Sequence, residues 1–414
     1  MPDGYQGFDP CVHCGFCLPA CPTYLATGDE NESPRGRIVL MRALERGDLL
    51  PTDATLQQHL DNCLGCLGCE PVCPSGVAYG RGLSTVRRTL RDSNGSTLTQ
   101  QVMLTIFGAP QLWRPLFTLA RWLRASAMPR LFAGSGRMGF AWGMLAASAG
   151  LPRSRRRLSS RQQGPPSSPD GPTVALFRGC IMDTLFPHVH GAARRVLEVN
   201  GFRVVDIPDQ QCCGALHEHA GDGDEAKRLA RLNVTAFAIG VDFIAVDSAG
   251  CGALLKDYGH LLRTAPAVTM SASVRDVSEL LADVGPRTGA ALPMRIAYDA
   301  PCHLHHAQGV VDAPLAILRA IPELDVRLPD GHERCCGSAG LYSLDRPTLA
   351  RQILDDKMAS ILPHEPEAIV TGNPGCLMQL GAGSIAAGRR IPTVHPVELL
   401  DESYRRAGFY RASH

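Results

Sequence analysis

The sequence predicts a multidomain α+β chain, with a mainly helical N-terminal module followed by a duplicated α/β domain. Two observations carry this reading. The pattern C-x2-C-x2-C-x3-C-P occurs twice near the N-terminus, as Cys11, Cys14, Cys17, Cys21, Pro22 and as Cys63, Cys66, Cys69, Cys73, Pro74. A different set recurs further on: Cys180, Cys212-Cys213-Gly214 and Cys251, then Cys302, Cys335-Cys336-Gly337 and Cys376. Equivalent cysteines of this second set lie 122, 123 and 125 residues apart. So regular an offset marks an internal duplication.

The first pattern has a chemical reading. Three thiolates two residues apart let a tight loop wrap three corners of an iron–sulfur cube, and the fourth Cys, followed by Pro, reaches the other cube. Cys11, Cys14, Cys17 and Cys73 are therefore expected to hold one [4Fe-4S] cluster, and Cys21, Cys63, Cys66 and Cys69 a second. Structural zinc would need only four ligands, usually in pairs. Residues 1–92 thus read as a two-cluster, ferredoxin-like domain. Between the loops, Ile38, Leu40, Met41 and Leu44 recur at roughly helical spacing and Gly47 is a stop signal, which predicts a helix over 34–47.

Residues 93–172 differ in character. The window 93–169 contains no Asp or Glu, ten Arg and all three Trp of the chain, Trp113, Trp122 and Trp142. An amphipathic helix is expected over 115–123, with Arg121 and Arg124 on its polar side. Basic helices with aromatic residues suit an anionic membrane surface, and equally a partner subunit. Residues 154–172, rich in Arg, Pro, Ser and Gly, read as a linker.

Each repeat, 173–290 and 291–414, alternates strand-like and helix-like text. Strands are expected at 173–177, 202–207 and 243–246, and again at 295–298, 324–328 and 368–370. Helices are expected at 224–238 and 346–362. Such alternation implies parallel α/β layering, and each motif cysteine comes just after a strand, at the sheet end where ligand sites form. Cys180, Cys212, Cys213, Cys251, Cys302, Cys335, Cys336 and Cys376 are accordingly candidate metal or cluster ligands, with zinc and thiol redox chemistry as the alternatives. His217, His219, His303, His305 and His306 crowd behind these cysteines as candidates for tuning a cluster or relaying protons.

Composition excludes other classes. The 414 residues are 45% hydrophobic and 20% charged, as in an ordinary globular protein, and a net charge of +1 carries no nucleic-acid signature. All 16 Cys fall inside the motifs above, which fits metal-bound thiolates in a reducing cytoplasm better than a disulfide scaffold. The start has neither a basic region nor an apolar run, so no signal peptide is expected. No window reads as a transmembrane helix. There is no G-x-G-x-x-G after a strand and no P-loop. A chain of one-electron carriers without a hydride acceptor must receive its electrons from another subunit.

The repeat, a Cys near a strand end, then Cys-Cys-Gly, then a further Cys, resembles the cysteine-rich domain of heterodisulfide reductase. Two such domains behind a two-cluster module resemble the iron–sulfur subunit of glycolate oxidase. The segments Cys212-Cys213-Gly-Ala-Leu-His217-Glu-His219, Cys335-Cys336-Gly-Ser-Ala-Gly-Leu-Tyr342 and Gly372-Asn373-Pro-Gly-Cys376 are similar to that subunit. The iron–sulfur subunit of anaerobic glycerol-3-phosphate dehydrogenase and a lactate-utilisation iron–sulfur protein are the rival resemblances; a thiol or disulfide reductase is the rival of another class.

The glycolate oxidase resemblance implies no catalytic residue on this chain. It implies an FAD-containing partner that oxidises glycolate, a second flavoprotein-like subunit, and a quinone acceptor reached from the inner face of the cytoplasmic membrane. It also admits one or two further clusters in the repeats. The heterodisulfide reductase pattern ends each repeat with C-x-x-C and supports non-cubane clusters. Here Ser248 and Asn373 replace the penultimate Cys, leaving each repeat four cysteines, enough for one ordinary cluster.

Overall fold

The structure, a computed structural model, describes residues 6–150 and 171–410. Among the described residues, 6–150 form helices and no strand. The expected helix is Pro34–Arg46. The Ser33 hydroxyl accepts from the Gly36 N–H to start it, and Gly47 ends it in the left-handed conformation. Its face Ile38, Met41 and Leu44 packs on Leu56 and Leu60 of helix Ala54–Asp61 and on Leu83, Val86 and Leu90 of helix Tyr79–Asn94. Each such buried side chain contributes roughly 1.5–3 kcal/mol.

Each repeat is a four-stranded parallel sheet with helices. The first contains β1 (Thr173–Phe177), β2 (Arg203–Val205), β3 (Phe243–Val246) and β4 (Val274–Asp276) in the order β2-β1-β3-β4. The second contains β5 (Met294–Tyr298), β6 (Leu324–Arg327), β7 (Ala368–Val370) and β8 (Thr393–Val394) in the order β6-β5-β7-β8. The six strands read from the sequence are present within a few residues. The fourth strand of each sheet was not expected, because two or three residues are too few for periodicity to register. The two expected helices are Gly223–Ala236 and Pro347–Ile361.

The two repeats share a core. Helix Pro187–Val199 packs on Pro396–Arg406, and Val277–Val284 on Asp312–Arg319. The Arg195 guanidinium crosses this junction and donates to both Asp401 oxygens, at 2.8 and 2.7 Å.

The Arg- and Trp-rich segment forms helices Leu98–Gly108, Pro110–Ala125, Met128–Phe132 and Arg137–Ala147. Its inner side packs on both repeats. Trp113 is buried with Phe107, Cys180, Cys212 and Leu229, and Arg137–Ala147 lies along Pro374–Ala386. Arg124, expected on the polar side, instead turns inward. Its Nη1 donates to the Ser148 and Leu185 carbonyls, both at 2.6 Å, and burial lowers its pKa. It follows Trp113, Phe117 and Ala120 at spacings of four, three and four, so it belongs to the packed face. The outer side is apolar: Leu112, Leu116, Leu119 and Trp122 follow helical spacing into solvent, and Leu131, Phe132 and Met138 extend the surface. Trp122 is 73% exposed and Leu131 75%. No helix among the described residues is long and apolar enough to cross a membrane. The Arg residues at 153–161 lie outside the described residues.

Candidate metal centres

The two N-terminal cysteine loops use one backbone device. His13 and Gly15 in the first hold φ of 55° and 87°, and their equivalents Gly65 and Leu67 in the second hold 65° and 62°. Left-handed residues inside a tight loop turn backbone N–H groups toward a common centre, a favourable surround for negative charge. The Gly65 N–H accordingly points at Cys63 Sγ, at 3.4 Å. For His13 and Leu67 this conformation costs on the order of 1–2 kcal/mol each.

Four of these cysteines, Cys11, Cys14, Cys17 and Cys73, line one small cavity. Cys21, Cys63, Cys66 and Cys69 line another, and Cys69 also borders the first. Each cavity draws cysteines from both loops. Burial pushes the Cys63 thiol up, but Arg37, Arg87 and the Tyr79 hydroxyl, 3.5 Å from its sulfur, outweigh this and lower its pKa. Burial, and then neighbouring thiols, push Cys66 and Cys69 well above the ordinary value. Thiols crowded out of water are stable as thiolates when a soft metal group neutralises them, and the all-sulfur donor set fits an iron–sulfur cluster.

A buried ionic network braces this region and escaped the sequence reading. The Arg37 side chain donates to Glu32 Oε2, to Thr23 Oγ1 at 3.0 Å and to the His59 carbonyl at 2.7 Å. Glu32 Oε1 faces His59 Nδ1 at 2.7 Å and accepts from Asn62 Nδ2 at 2.8 Å. Thr23 in turn contacts Cys21 Sγ at 3.2 Å. A signal did exist: Arg37 lies at helical spacing from Met41 and Leu44, a charge on an apolar face.

In the repeats the cysteines gather in fours. In the first, Cys180 and Cys212 sulfurs lie 3.6 Å apart, and Cys213 and Cys251 sulfurs 3.2 Å apart. In the second, neighbouring thiols shift one another's pKa: Cys302 and Cys336 push Cys335 well up, and Cys335 and Cys376 hold Cys336 well down. Cys180 follows β1 and Cys251 follows β3, the neighbours at which the chain's direction across the sheet reverses; Cys302 and Cys376 follow β5 and β7. That switch point is the usual ligand crevice of a parallel sheet. The Gly after each Cys pair is required. Gly214 and Gly337 hold φ of 88° and 85°, and a Cβ on Gly337 would stand 2.6 Å from the Ala350 carbonyl oxygen. Asn373 does not replace a ligand with a void: its Nδ2 donates to Cys376 Sγ at 3.5 Å and its Oδ1 accepts from the Gly250 N–H at 3.2 Å.

The second repeat abuts the second cysteine loop. Cys66 packs with Cys302, Cys335, Leu64 and Tyr342. The Tyr342 hydroxyl donates to the Asn62 carbonyl at 3.0 Å, and Arg346 bonds the Asp61 carboxylate at 3.0 Å. His303 Nε2 contacts the Gly65 carbonyl at 3.1 Å, and its ring stacks on His219 with centroids 4.9 Å apart and planes 13° apart. Burial lowers the pKa of both imidazoles. The other three histidines serve elsewhere. His217 Nε2 meets the Leu104 carbonyl at 3.0 Å, and His306 meets the Glu333 carbonyl at 3.0 Å with its pKa pushed by burial to about 4. His305 packs against His306 and His332.

Comparison with known proteins agrees with this architecture. Residues 7–77 match the 4Fe-4S dicluster domain, and residues 174–256 and 296–381 each match the cysteine-rich domain. The chain carries [4Fe-4S] clusters accordingly. A probable glycolate oxidase iron–sulfur subunit of Bacillus subtilis is 35% identical, over 95% of this chain and 93% of its own length. The glycolate oxidase iron–sulfur subunit of Escherichia coli is 31% identical, over 96% and 94%. Lactate utilization protein A of Exiguobacterium is 32% identical, over 57% of this chain and the whole of its own length. At 35% and 31% identity over 95% and 96% of its length, this chain belongs to the family of glycolate oxidase iron–sulfur subunits.

Proposed function

We propose that this chain is the electron-transfer subunit of a glycolate-oxidising complex, taking electrons from the flavin of a partner subunit and delivering them to a membrane quinone. When bound, the clusters supply one-electron transfer, which a hydroxy acid's hydride chemistry needs a flavin to feed. Cys11, Cys14, Cys17 and Cys73 would hold one [4Fe-4S] cluster and Cys21, Cys63, Cys66 and Cys69 the second. Cys180, Cys212, Cys213 and Cys251, and Cys302, Cys335, Cys336 and Cys376, would hold up to two more. The domain limits 1–92, 93–172, 173–290 and 291–414 belong to the same reading.

One observation carries it. Three of the four cysteine sets are contiguous: Cys69 borders both N-terminal cavities, and Cys66 packs in one cluster with Cys302 and Cys335. A relay needs that contiguity; a set of separate structural metal sites does not.

Membrane contact fits the outer side of 110–138. Its exposed Leu, Trp and Phe side chains accompany exposed Arg114, Arg121, Arg130 and Arg137 in a window without acids. An apolar face with clustered Arg favours an anionic leaflet on the order of 1 kcal/mol per cation. The inner face of the cytoplasmic membrane is the surface this reading proposes for the chain.

Anaerobic purification tests the proposal. About eight irons per chain are expected from the N-terminal sets, and more if the repeats are filled. Fewer than eight under full reconstitution would contradict it.

A further inference from the structure

A cavity of about 880 Å³ opens between helix Tyr79–Asn94 and the first repeat. Three of the four cysteine sets send a neighbour to its wall. Gly65 lies between Cys63 and Cys66, Gly250 precedes Cys251, and His303 follows Cys302. The stacked His219 and His303 rings stand at this inner wall. Gly65 leaves room for the first ring: a Cβ there would crowd His219 Nδ1 at 3.3 Å. The opposite rim is exposed and carries Arg81, Arg231, His260 and Arg263.

Charge on the wall is unbalanced. Arg81, Arg87, Arg88, Lys227, Arg231 and Arg263 face Glu70, Asp92, Glu218 and Asp257. Two pairs cancel, Glu218 with Arg88 at 3.4 Å and Asp257 with Arg81 at 3.6 Å, which leaves Arg87, Lys227, Arg231 and Arg263 against Glu70 and Asp92. The Arg88 Nε is buried without a hydrogen-bond partner. A cavity with surplus fixed cations and hydrogen-bonding imidazoles, set against redox-active loops, stabilises a molecule on which negative charge develops.

We infer that this cavity is where the quinone ring is reduced. This rests on the electron-transfer reading above and names its exit. The quinone accepts two electrons, one at a time, from the reduced chain and two protons from solvent at the open rim, and leaves as quinol. The electrons originate in glycolate oxidation on the partner. His219 and the wall arginines contribute hydrogen bonds and positive charge to the quinone oxygens.

The test uses the full chain, reconstituted with iron and sulfide under anaerobic conditions and reduced with dithionite, then freed of excess reductant. A short-chain ubiquinone analogue is mixed in and bleaching of the reduced clusters is followed. Saturable oxidation is expected. Ala253 and Ala307 also line the cavity; Ala253→Trp and Ala307→Trp, which fill it, and His219→Gln, which preserves its volume, should each slow the oxidation at least tenfold. Iron content, cluster spectra and oxidation by ferricyanide should remain as in the unaltered chain. Unchanged saturable quinone oxidation in all three variants, at full iron content, would place the site elsewhere and overturn the inference. If ferricyanide oxidises the unaltered chain but no quinone does, the quinone acceptor itself fails, and with it the reading on which the inference stands.

Discussion

Lys357 stands in the second repeat where Asn233 stands in the first. Both project from the helix that the Cys-Cys-Gly glycine abuts, Gly214 against Ala226 and Leu229, Gly337 against Ala350 and Ile353. Both tie down the backbone around the cysteine pair. Asn233 accepts from the Gln211 N–H at 2.9 Å and donates to the Cys212 carbonyl at 3.0 Å. Lys357 donates to the carbonyls of Gly331, His332 and Arg334 at 2.7, 3.0 and 2.7 Å, and pairs with the buried Asp299 carboxylate at 2.6 Å. The duplication has kept the brace and changed its charge. Above about pH 7, where Asp299 is ionised, Lys357→Met should therefore cost roughly 3–5 kcal/mol, since it strands a buried carboxylate. Asn233→Ala should cost about 1–3 kcal/mol, the usual toll of unsatisfied buried polar groups. Equal losses in chemical denaturation would show that the ion pair adds nothing beyond the brace.

The same ion pair sets a pH dependence. Burial pushes the Asp299 pKa up to about 7, against the lowering effect of Lys357. An unfolded Asp titrates at about 3.9. Between those values the folded chain holds a proton that the unfolded chain has released, so this group's contribution to stability falls as pH rises from about 4 to about 7 and is level outside that window. Asp299→Asn should flatten the slope in that interval. A slope identical to that of the unaltered chain would assign it to other groups.

Cys21→Ser should damage the cluster shared with Cys63, Cys66 and Cys69, and Cys73→Ser the one shared with Cys11, Cys14 and Cys17. Mössbauer or paramagnetic resonance spectra of the two variants should each lack a different signal. Should Cys21→Ser and Cys11→Ser remove the same signal, the crossing between loops is wrong.

Trp122→Gln combined with Leu116→Gln, or Gln at Arg121, Arg130 and Arg137, should weaken flotation of the complex with anionic liposomes while leaving iron content intact. High salt should release the unaltered complex, because the cation contribution is screened. Arg124→Gln belongs to a different class: it loses bonds to two carbonyls of the packed interior, and lowered stability is its expected effect. If the surface variants keep flotation but shed the flavoprotein subunits, the outer face is a subunit interface.

Much of this was legible in the sequence because cysteine spacing is a local signal. The two cluster loops, the duplication and six strands all announce themselves within short windows. What was hidden depends on contacts between distant residues. Nothing near Arg37 reveals the His59 carbonyl as its buried acceptor, and the equivalence of Asn233 with Lys357 needs the helix register against Gly214 and Gly337. The direction of Arg124 was misread because the segment has two apolar sides. One packs on the repeats and one faces solvent, so a single amphipathic reading of 115–123 could assign only one.

The central claim is that glycolate's electrons reach this chain only through a flavoprotein partner. Glycolate is added anaerobically to the purified complex and to the isolated reconstituted chain, with cluster reduction read from bleaching of the visible absorbance of thiolate-bound iron. Bleaching is expected in the complex and none in the isolated chain. Bleaching of the isolated chain, free of flavin, or a complex that oxidises glycolate while its clusters stay oxidised, would contradict it.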